Sequence, residues 1–257
     1  MLFDTHTHLN DDKLFSQAGQ YISQAKAAGV LRVADIGCDR PSSVRSLELA
    51  ARFPDFVSAV VGYHPYDADK VDDAACEELL EWGKRADVVA IGEIGLDYYR
   101  DINPKKVQHE AFIRQLEIAQ MLKKPVVIHD RDAHGDIMDI LRAHRGGLYG
   151  GIIHCFSGSK EMARICLDMG FDIAFGGALT FQNARNLLEV CAYVPMENML
   201  TETDCPYLTP HPHRGKTNEP AFVAYVAEKI AAIKGLPFDE VAQITYANAL
   251  RVYGLNK

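Results

Sequence analysis

The chain has 257 residues, of which 48% are hydrophobic and 24% charged; these proportions are those of an ordinary globular protein and exclude a disordered or fibrous class. The formal net charge of −8 argues against a protein that coats nucleic acid with a broad basic surface, although it leaves room for a local basic pocket. No apolar run reaches the roughly 18 residues that cross a bilayer, no signal-peptide pattern opens the chain, and the six cysteines include no C-x-x-C pair, so we expect reduced thiols in a cytoplasmic protein without membrane contact.

Short β-rich apolar runs alternate with longer helical patterns along the chain. In chain order the predicted strands are residues 2–8, 31–37, 56–62, 88–93, 125–130, 151–156, 171–177 and 199–204. Between the strands, apolar residues recur at helical spacing, as at Phe112, Leu116 and Ala119. The eighth strand is followed by a Pro-rich, locally basic loop over residues 208–220 and by a closing helix over residues 239–254.

The repeated alternation predicts the fold class. Strands and helices that alternate at intervals of about 25 to 35 residues are typical of βαβ units with a parallel sheet. Eight such units favour a closed (β/α)8 TIM barrel of the α/β class over a doubly wound sheet, with the active site at the C-terminal ends of the strands. Because no linker or shift in composition divides the chain, we expect residues 1–257 to form a single domain.

Residues able to bind metals recur at the predicted strand ends. His6 and His8 would share one face of the first strand, but a lone His-x-His pair is more often an ordinary polar strand end. Six such residues would meet at one barrel mouth: His6, His8, Glu93, His129, His154 and Asp204. Four imidazoles and two carboxylates exceed one tetrahedral zinc site and suit two divalent cations that share a carboxylate and a water. The nitrogen-rich set favours zinc or manganese, although its carboxylates also suit magnesium.

Seven short motifs resemble, in order and spacing, those of the TatD-like metal-dependent deoxyribonucleases of the amidohydrolase superfamily. They are DTHTHLN, GYHPYDA, AIGEIGLDYYR, PVVIHDRDA, HCFSGS, LTETDCP and PHRGKTNEP, and they extend over the whole chain. The resemblance implies one metal held by His6, His8, Glu93 and Asp204. It implies a second metal held by Glu93, His129 and His154, with Glu93 as the bridge. Asp204 would also be the general base, taking a proton from the metal-bound water as that water attacks phosphorus.

A phosphodiester substrate also needs positive groups outside the metal pair. The candidates are His64, Arg131, Lys160, Arg214 and Lys216. Arg214 is the strongest of them from the sequence, because it lies in the basic loop and a guanidinium holds a phosphate through two donors. Tyr98 or Tyr99 could stack on an unpaired base, although either could equally pack a loop.

These residues predict a metal-dependent phosphodiesterase, most simply a deoxyribonuclease that trims single-stranded DNA ends. A deep barrel mouth accepts a chain end more readily than the middle of a duplex. The principal alternative is an amidohydrolase or lactonase that opens a small-molecule amide or ester with the same metal pair, because one barrel supports many chemistries. A catalytically silent metal-binding scaffold is a third reading. We expect a monomer, because a complete barrel needs no partner to finish its core.

Overall fold

The computed structural model describes residues 1–100 and 102–256, in which eight strands alternate with helices. The strands are β1 (Leu2–Thr7), β2 (Val30–Ile36), β3 (Val57–Val61), β4 (Val88–Asp97), β5 (Val126–Arg131), β6 (Gly151–Ile153), β7 (Phe171–Phe175) and β8 (Met199–Thr201). The α-helices are α1 (Ala18–Ala27), α2 (Arg40–Arg52), α3 (Asp73–Gly83), α4 (Lys105–Leu122), α5 (His134–His144), α6 (Lys160–Asp168), α7 (Arg185–Tyr193), α8 (Val223–Lys234) and α9 (Phe238–Val252). Among these residues, no helix is both long enough and apolar enough to cross a membrane.

The strands form a single sheet in chain order, and each pairs in parallel with the next. The sheet closes on itself where β1 meets β8 and the segment after it. Thr7 forms a parallel bridge with Cys205, and the N–H of Asp204 donates to the carbonyl of His6 at 2.9 Å. The hydroxyl of Thr5 donates to the carbonyl of Thr201 at 3.1 Å. The predicted (β/α)8 barrel is therefore confirmed.

Apolar side chains pack in two layers on either side of the strands. The inner layer contains one or more residues from each strand: Phe3, Ala34, Ile36, Val60, Val89, Ala90, Val127, Ile152, Ala174 and Leu200. The closing helix α9 covers the end of the barrel where the strands begin, and its Tyr253 donates a hydroxyl hydrogen bond to the carbonyl of Thr5 at 2.7 Å. The outer layer lies between strands and helices and includes Phe112 and Leu116 of α4. With the N-terminal end covered, the opposite end is left for the site.

Several strands end at positions other than those predicted, and the differences fall on residues of chemical interest. β4 continues to Asp97, so Glu93 lies within the strand instead of ending it. β6 ends at Ile153 and β8 at Thr201, so His154 and Asp204 belong to the segments that follow. Asp204 has φ 57, in the left-handed region that no β-strand adopts, and this backbone turn ends the extended run.

Candidate metal centre

Imidazoles surround the Glu93 carboxylate at the C-terminal end of the barrel, where this side chain is only 5% exposed. Its Oε2 lies 3.3 Å from Nε2 of His6 and 3.8 Å from Nε2 of His8. Its Oε1 lies 2.7 Å from Nδ1 of His129 and 3.1 Å from Nε2 of His154. The two oxygens of one carboxylate thus face two different pairs of imidazoles, as a ligand bridging two ions must.

The Asp204 carboxylate completes the side of the cluster formed by the first strand. Its Oδ1 lies 3.3 Å from Nε2 of His8 and 3.8 Å from Nε2 of His6. The neighbouring residue is anchored by Asp4, whose buried carboxylate accepts hydrogen bonds from the N–H of Thr203 at 2.8 Å and from its hydroxyl at 2.6 Å. β1 and the residue that follows it therefore supply two imidazoles, and Asp4 of the same strand positions the acid opposite them.

Three of the imidazoles are oriented by a hydrogen bond at the ring nitrogen that faces away from the cluster. Nδ1 of His8 donates to a carbonyl at the end of β2 at 2.9 Å. Nδ1 of His154 lies 3.2 Å from Oε1 of Glu202, and Nε2 of His129 lies 3.2 Å from Oδ2 of Asp97. Metal-binding imidazoles in proteins are held in this way, by a carboxylate or carbonyl behind the ring.

The donor set fits divalent metal ions. Nε2 of His8 lies only 3.2 Å from Nε2 of His6, and oxygens of Glu93 and Asp204 lie beside both rings. Nδ1 of His6 is buried and has no hydrogen-bond partner among the described residues. Lone pairs and carboxylate oxygens this close repel one another unless a cation lies between them. Among the described residues, three groups of converging ligand atoms could each hold an ion: His6, His8 and Glu93; His6, His154 and Glu202; and His64, Glu93 and His129.

The charges of the cluster favour a cation at its centre. Burial would raise the pKa of Glu93, but the imidazoles of His154 and His6 outweigh it and hold this pKa well below its usual range. Burial likewise opposes a charge on His154, yet the neighbouring carboxylates, Glu93 first, raise its pKa well above normal. His64 differs, because burial and the adjacent His129 lower its pKa to about 3. The ring of His64, which was predicted from the sequence to be among the positive groups, is therefore neutral at pH 7.

A cavity of about 480 Å³ opens directly above the cluster. Besides the ligand candidates other than His6, its lining includes two arginines, Arg100 in the turn after β4 and Arg131 at the end of β5. Arg131 was predicted from the sequence, whereas Arg100 was not. Guanidinium groups at the mouth of a metal-type centre can hold the non-bridging oxygens of a phosphate.

The three other basic side chains predicted from the sequence, Lys160, Arg214 and Lys216, lie outside the mouth cavity. The guanidinium of Arg214 lies 3.9 Å from the ring centroid of Phe181 and donates to the carbonyl of Thr209 at 3.0 Å. Lys216 is exposed in the same loop, and Lys160 is exposed at the start of α6. None of these three cations is among the residues that line the mouth cavity.

Three residues that support the centre were missed from the sequence, although each lies within one of the quoted motifs. Asp97 lies behind His129, Glu202 lies behind His154, and Asp4 anchors the segment that carries Asp204. A carboxylate two to four residues from a candidate ligand was the available signal. Sequence spacing alone does not tell which of two nearby carboxylates faces the ions and which lies behind an imidazole.

The fold and the site define a class of protein before any comparison is made. It is an α/β barrel with a cluster of potential metal ligands, of the kind found in metal-dependent hydrolases, at the C-terminal ends of its strands. The family described as TatD related DNase matches residues 3–254. The chain therefore belongs to the TatD-related DNase family and is a metal-dependent hydrolase, which confirms the resemblance found in its motifs.

Relatives and solved structures agree with this assignment. The chain is 45% identical over 256 residues to the metal-dependent hydrolase YabD of Bacillus subtilis, covering 100% of both chains. It is 34% identical over 261 residues to a protein of Pectobacterium atrosepticum named 3'-5' ssDNA/RNA exonuclease TatD, covering 99% of this chain and 100% of that one. The crystal structure of YJJV, a TatD homologue from Escherichia coli, superposes with a TM-score of 0.92 at 29% identity, over 98% of both chains. A Deinococcus radiodurans lactonase, with a TM-score of 0.67 at 15% identity over 98% of this chain and 95% of that one, shares the fold alone.

Proposed function

We propose that this chain is a deoxyribonuclease that removes nucleotides from the ends of single-stranded DNA. The observation that carries the proposal is the Glu93 carboxylate, whose two oxygens face separate pairs of imidazoles beneath a mouth lined by Arg100 and Arg131. Two cation sites next to guanidinium groups suit a phosphodiester, which carries a negative charge in the ground state and gains more in the transition state. The Pectobacterium relative named as a 3'-5' ssDNA/RNA exonuclease supports the same substrate class.

The ligand set supports two divalent ions as cofactors. One ion would be held by His6, His8 and Asp204. The other ion would be held by His129 and His154. Glu93 would bridge the pair. Zinc or manganese suits this nitrogen-rich set better than magnesium does. When bound, such ions make hydroxide available from water near neutral pH and offset negative charge on the phosphate oxygens.

The chain's own groups have distinct roles in this proposal. Asp204 is the general base that accepts the proton of the attacking water; its pKa is lowered because the His8 imidazole and its neighbours outweigh the effect of burial, so the carboxylate is ionised at neutral pH. Arg100 and Arg131 hold the non-bridging phosphate oxygens. The neutral ring of His64, whose Nδ1 accepts from the N–H of Tyr66 at 3.2 Å, presents its Nε2 proton towards the centre.

The remaining expectations from the sequence are part of the same proposal. Residues 1–257 would act as one catalytic domain, because the candidate ligands come from both ends of the barrel sheet, from β1 at one end and from the segment after β8 at the other. A monomer would suffice, since the barrel closes within one chain. A cytoplasmic location is supported by the six cysteines, all of which are free thiols.

An end-labelled oligonucleotide assay with metal analysis tests the function. We expect chelated protein to be inactive, re-added manganese or zinc to restore stepwise shortening of a linear single strand, and a circular single strand of the same sequence to resist cleavage. Equal degradation of linear and circular strands would contradict the requirement for an end. If a panel of lactones and amides is hydrolysed while every oligonucleotide stays intact, the small-molecule alternative is correct.

A further inference from the structure

An exposed aromatic ring lies at the rim of the mouth, next to the end of β4. Tyr99 is 61% exposed. The guanidinium of Arg131 lies over its ring, 4.6 Å from the centroid. Arg131 also lines the mouth cavity, so the same residue contacts both the ring and the cavity. One face of Tyr99 is thus backed by a cation, and its exposure leaves the other face open to a planar ligand.

The backbone of Tyr99 is tied directly to the candidate metal centre. Oδ1 of Asp97 accepts hydrogen bonds from the N–H of Tyr99 at 3.0 Å and from the N–H of Arg100 at 2.9 Å. Oδ2 of the same carboxylate lies 3.2 Å from Nε2 of His129. A single side chain therefore separates the metal-facing imidazole from the exposed ring. Tyr99 therefore belongs to a turn that is anchored by the same carboxylate that contacts His129.

The neighbouring Tyr98, the other candidate from the sequence, is engaged by contacts within the protein. The hydroxyl of Tyr98 bonds to Asp136 of α5 and lies 2.6 Å from Nε2 of His109 of α4. The ammonium of Lys105 lies 3.8 Å from the centroid of its ring. Its hydroxyl and one face are therefore engaged in joining two helices to the end of β4. Of this tyrosine pair, Tyr99 is the ring that remains available.

We propose that Tyr99, backed by Arg131, is the platform on which the terminal base of a single-stranded substrate stacks. This inference rests on the proposed function and specifies how the site selects its substrate. Stacking on an aromatic ring tolerates every base, since each has a π face, and a guanidinium behind the ring adds a cation–π contribution. A base paired in a duplex is already stacked and covered, so the platform favours unpaired ends.

Binding to metal-free protein tests the platform without cleavage. Fluorescence anisotropy of a short single strand labelled at its 5' end, measured in chelator, should show that Tyr99→Ala raises the Kd by about fivefold to a hundredfold, the cost of losing one stacked base. Tyr99→Trp should keep the wild-type Kd within about twofold, because indole stacks as well as phenol does. Tyr149→Ala is the matched control, since Tyr149 is 54% exposed but lines a cavity at the opposite end of the barrel.

An abasic terminal nucleotide identifies the partner of the ring. Wild-type protein should lose affinity for the abasic strand by the same factor that Tyr99→Ala loses for the intact strand, and the variant should not distinguish the two strands. The platform is contradicted if Tyr99→Ala binds the intact strand with the wild-type Kd. It is also contradicted if the substitution raises the Kd by the same factor for the intact strand and for the abasic strand. Such a result leaves the nuclease proposal intact if metal-loaded wild type still shortens oligonucleotides. Absence of that cleavage contradicts the nuclease proposal itself, whatever the binding result.

Discussion

At the scale of single residues, the centre depends on what lies behind each imidazole. Asp97 carries the most connections, because its carboxylate contacts His129, accepts the Tyr66 hydroxyl at 2.9 Å, and holds two backbone N–H groups of the following turn. Burial opposes its ionisation, but the hydrogen bonds from His129 and its other donors lower its pKa, so it is a carboxylate at neutral pH. Asp97 therefore orients the candidate ligand His129 and also holds the turn that carries Tyr99 and Arg100.

Replacing this carboxylate by its neutral isostere tests that role. Asp97→Asn should lower metal affinity or kcat/KM by about 10- to 100-fold, the usual effect of losing the partner behind a metal-binding imidazole. Inductively coupled plasma analysis and the oligonucleotide assay measure the two quantities. Asp172→Asn is the control, because Asp172 is equally buried but does not contact the candidate metal centre. Its carboxylate instead pairs with the guanidinium of Arg251 at 2.8 Å. The control should lose stability but keep its metal, and equal metal loss in both variants would contradict a specific role for Asp97.

At the scale of elements, the pairing of β4 with β5 determines how Glu93 meets His129. Gly95 is opposite His129 in this parallel pair, and Asp97 is opposite Arg131. The backbone of Gly95 has φ 147, and a Cβ placed there would lie 2.0 Å from the carbonyl oxygen of His129. Only glycine permits so close an approach of the two strands. Gly95 therefore controls the position of His129, a candidate metal ligand.

Gly95→Ala should accordingly damage both stability and the site. Backbone strain and overpacking together should lower the free energy of unfolding by about 2–5 kcal/mol and displace His129 enough to reduce bound metal. Urea unfolding and metal analysis give the two readings. Gly29→Ala is the matched control, because Gly29 has φ 86 but nothing within 4 Å of the added Cβ. It should cost about 1 kcal/mol and leave metal content unchanged, so a similar loss in both variants would argue against the contact with His129.

At the scale of the whole molecule, the candidate metal centre lies where the first and last strands of the barrel meet. Asp4 and Thr203 are hydrogen-bonded across 199 residues of sequence, and the bridge from Thr7 to Cys205 closes the sheet beside them. The buried carboxylates and imidazoles that meet there are costly without a cation, because each is withdrawn from water. Ions bound at this seam would therefore stabilise the folded barrel as well as support catalysis.

Removal of the metal should consequently lower the melting temperature. At an ion concentration 100 times Kd, each site contributes about 2.7 kcal/mol. A change of 1 kcal/mol moves Tm by about 2–4 °C in a chain of this size, so chelation should lower Tm by at least about 5 °C. Differential scanning fluorimetry measures the shift. His6→Ala should start from a lower Tm and respond less to chelator, and an unchanged wild-type Tm after verified metal removal would contradict the stabilising role.

The sequence by itself was sufficient to predict the barrel and to name six candidate ligands that the fold brings to one rim. Eight apolar runs alternate with amphipathic helices, and parallel strands bring their C-terminal ends to one rim, so strand-end histidines converge whatever the details of packing. Tertiary structure alone decided which carboxylate lies behind which ring, that Arg100 and Arg131 line the mouth while Arg214 packs on Phe181, and that Tyr98 is engaged while Tyr99 is exposed. These outcomes depend on side-chain directions and on contacts between segments far apart in the chain, and periodicity carries no information about either.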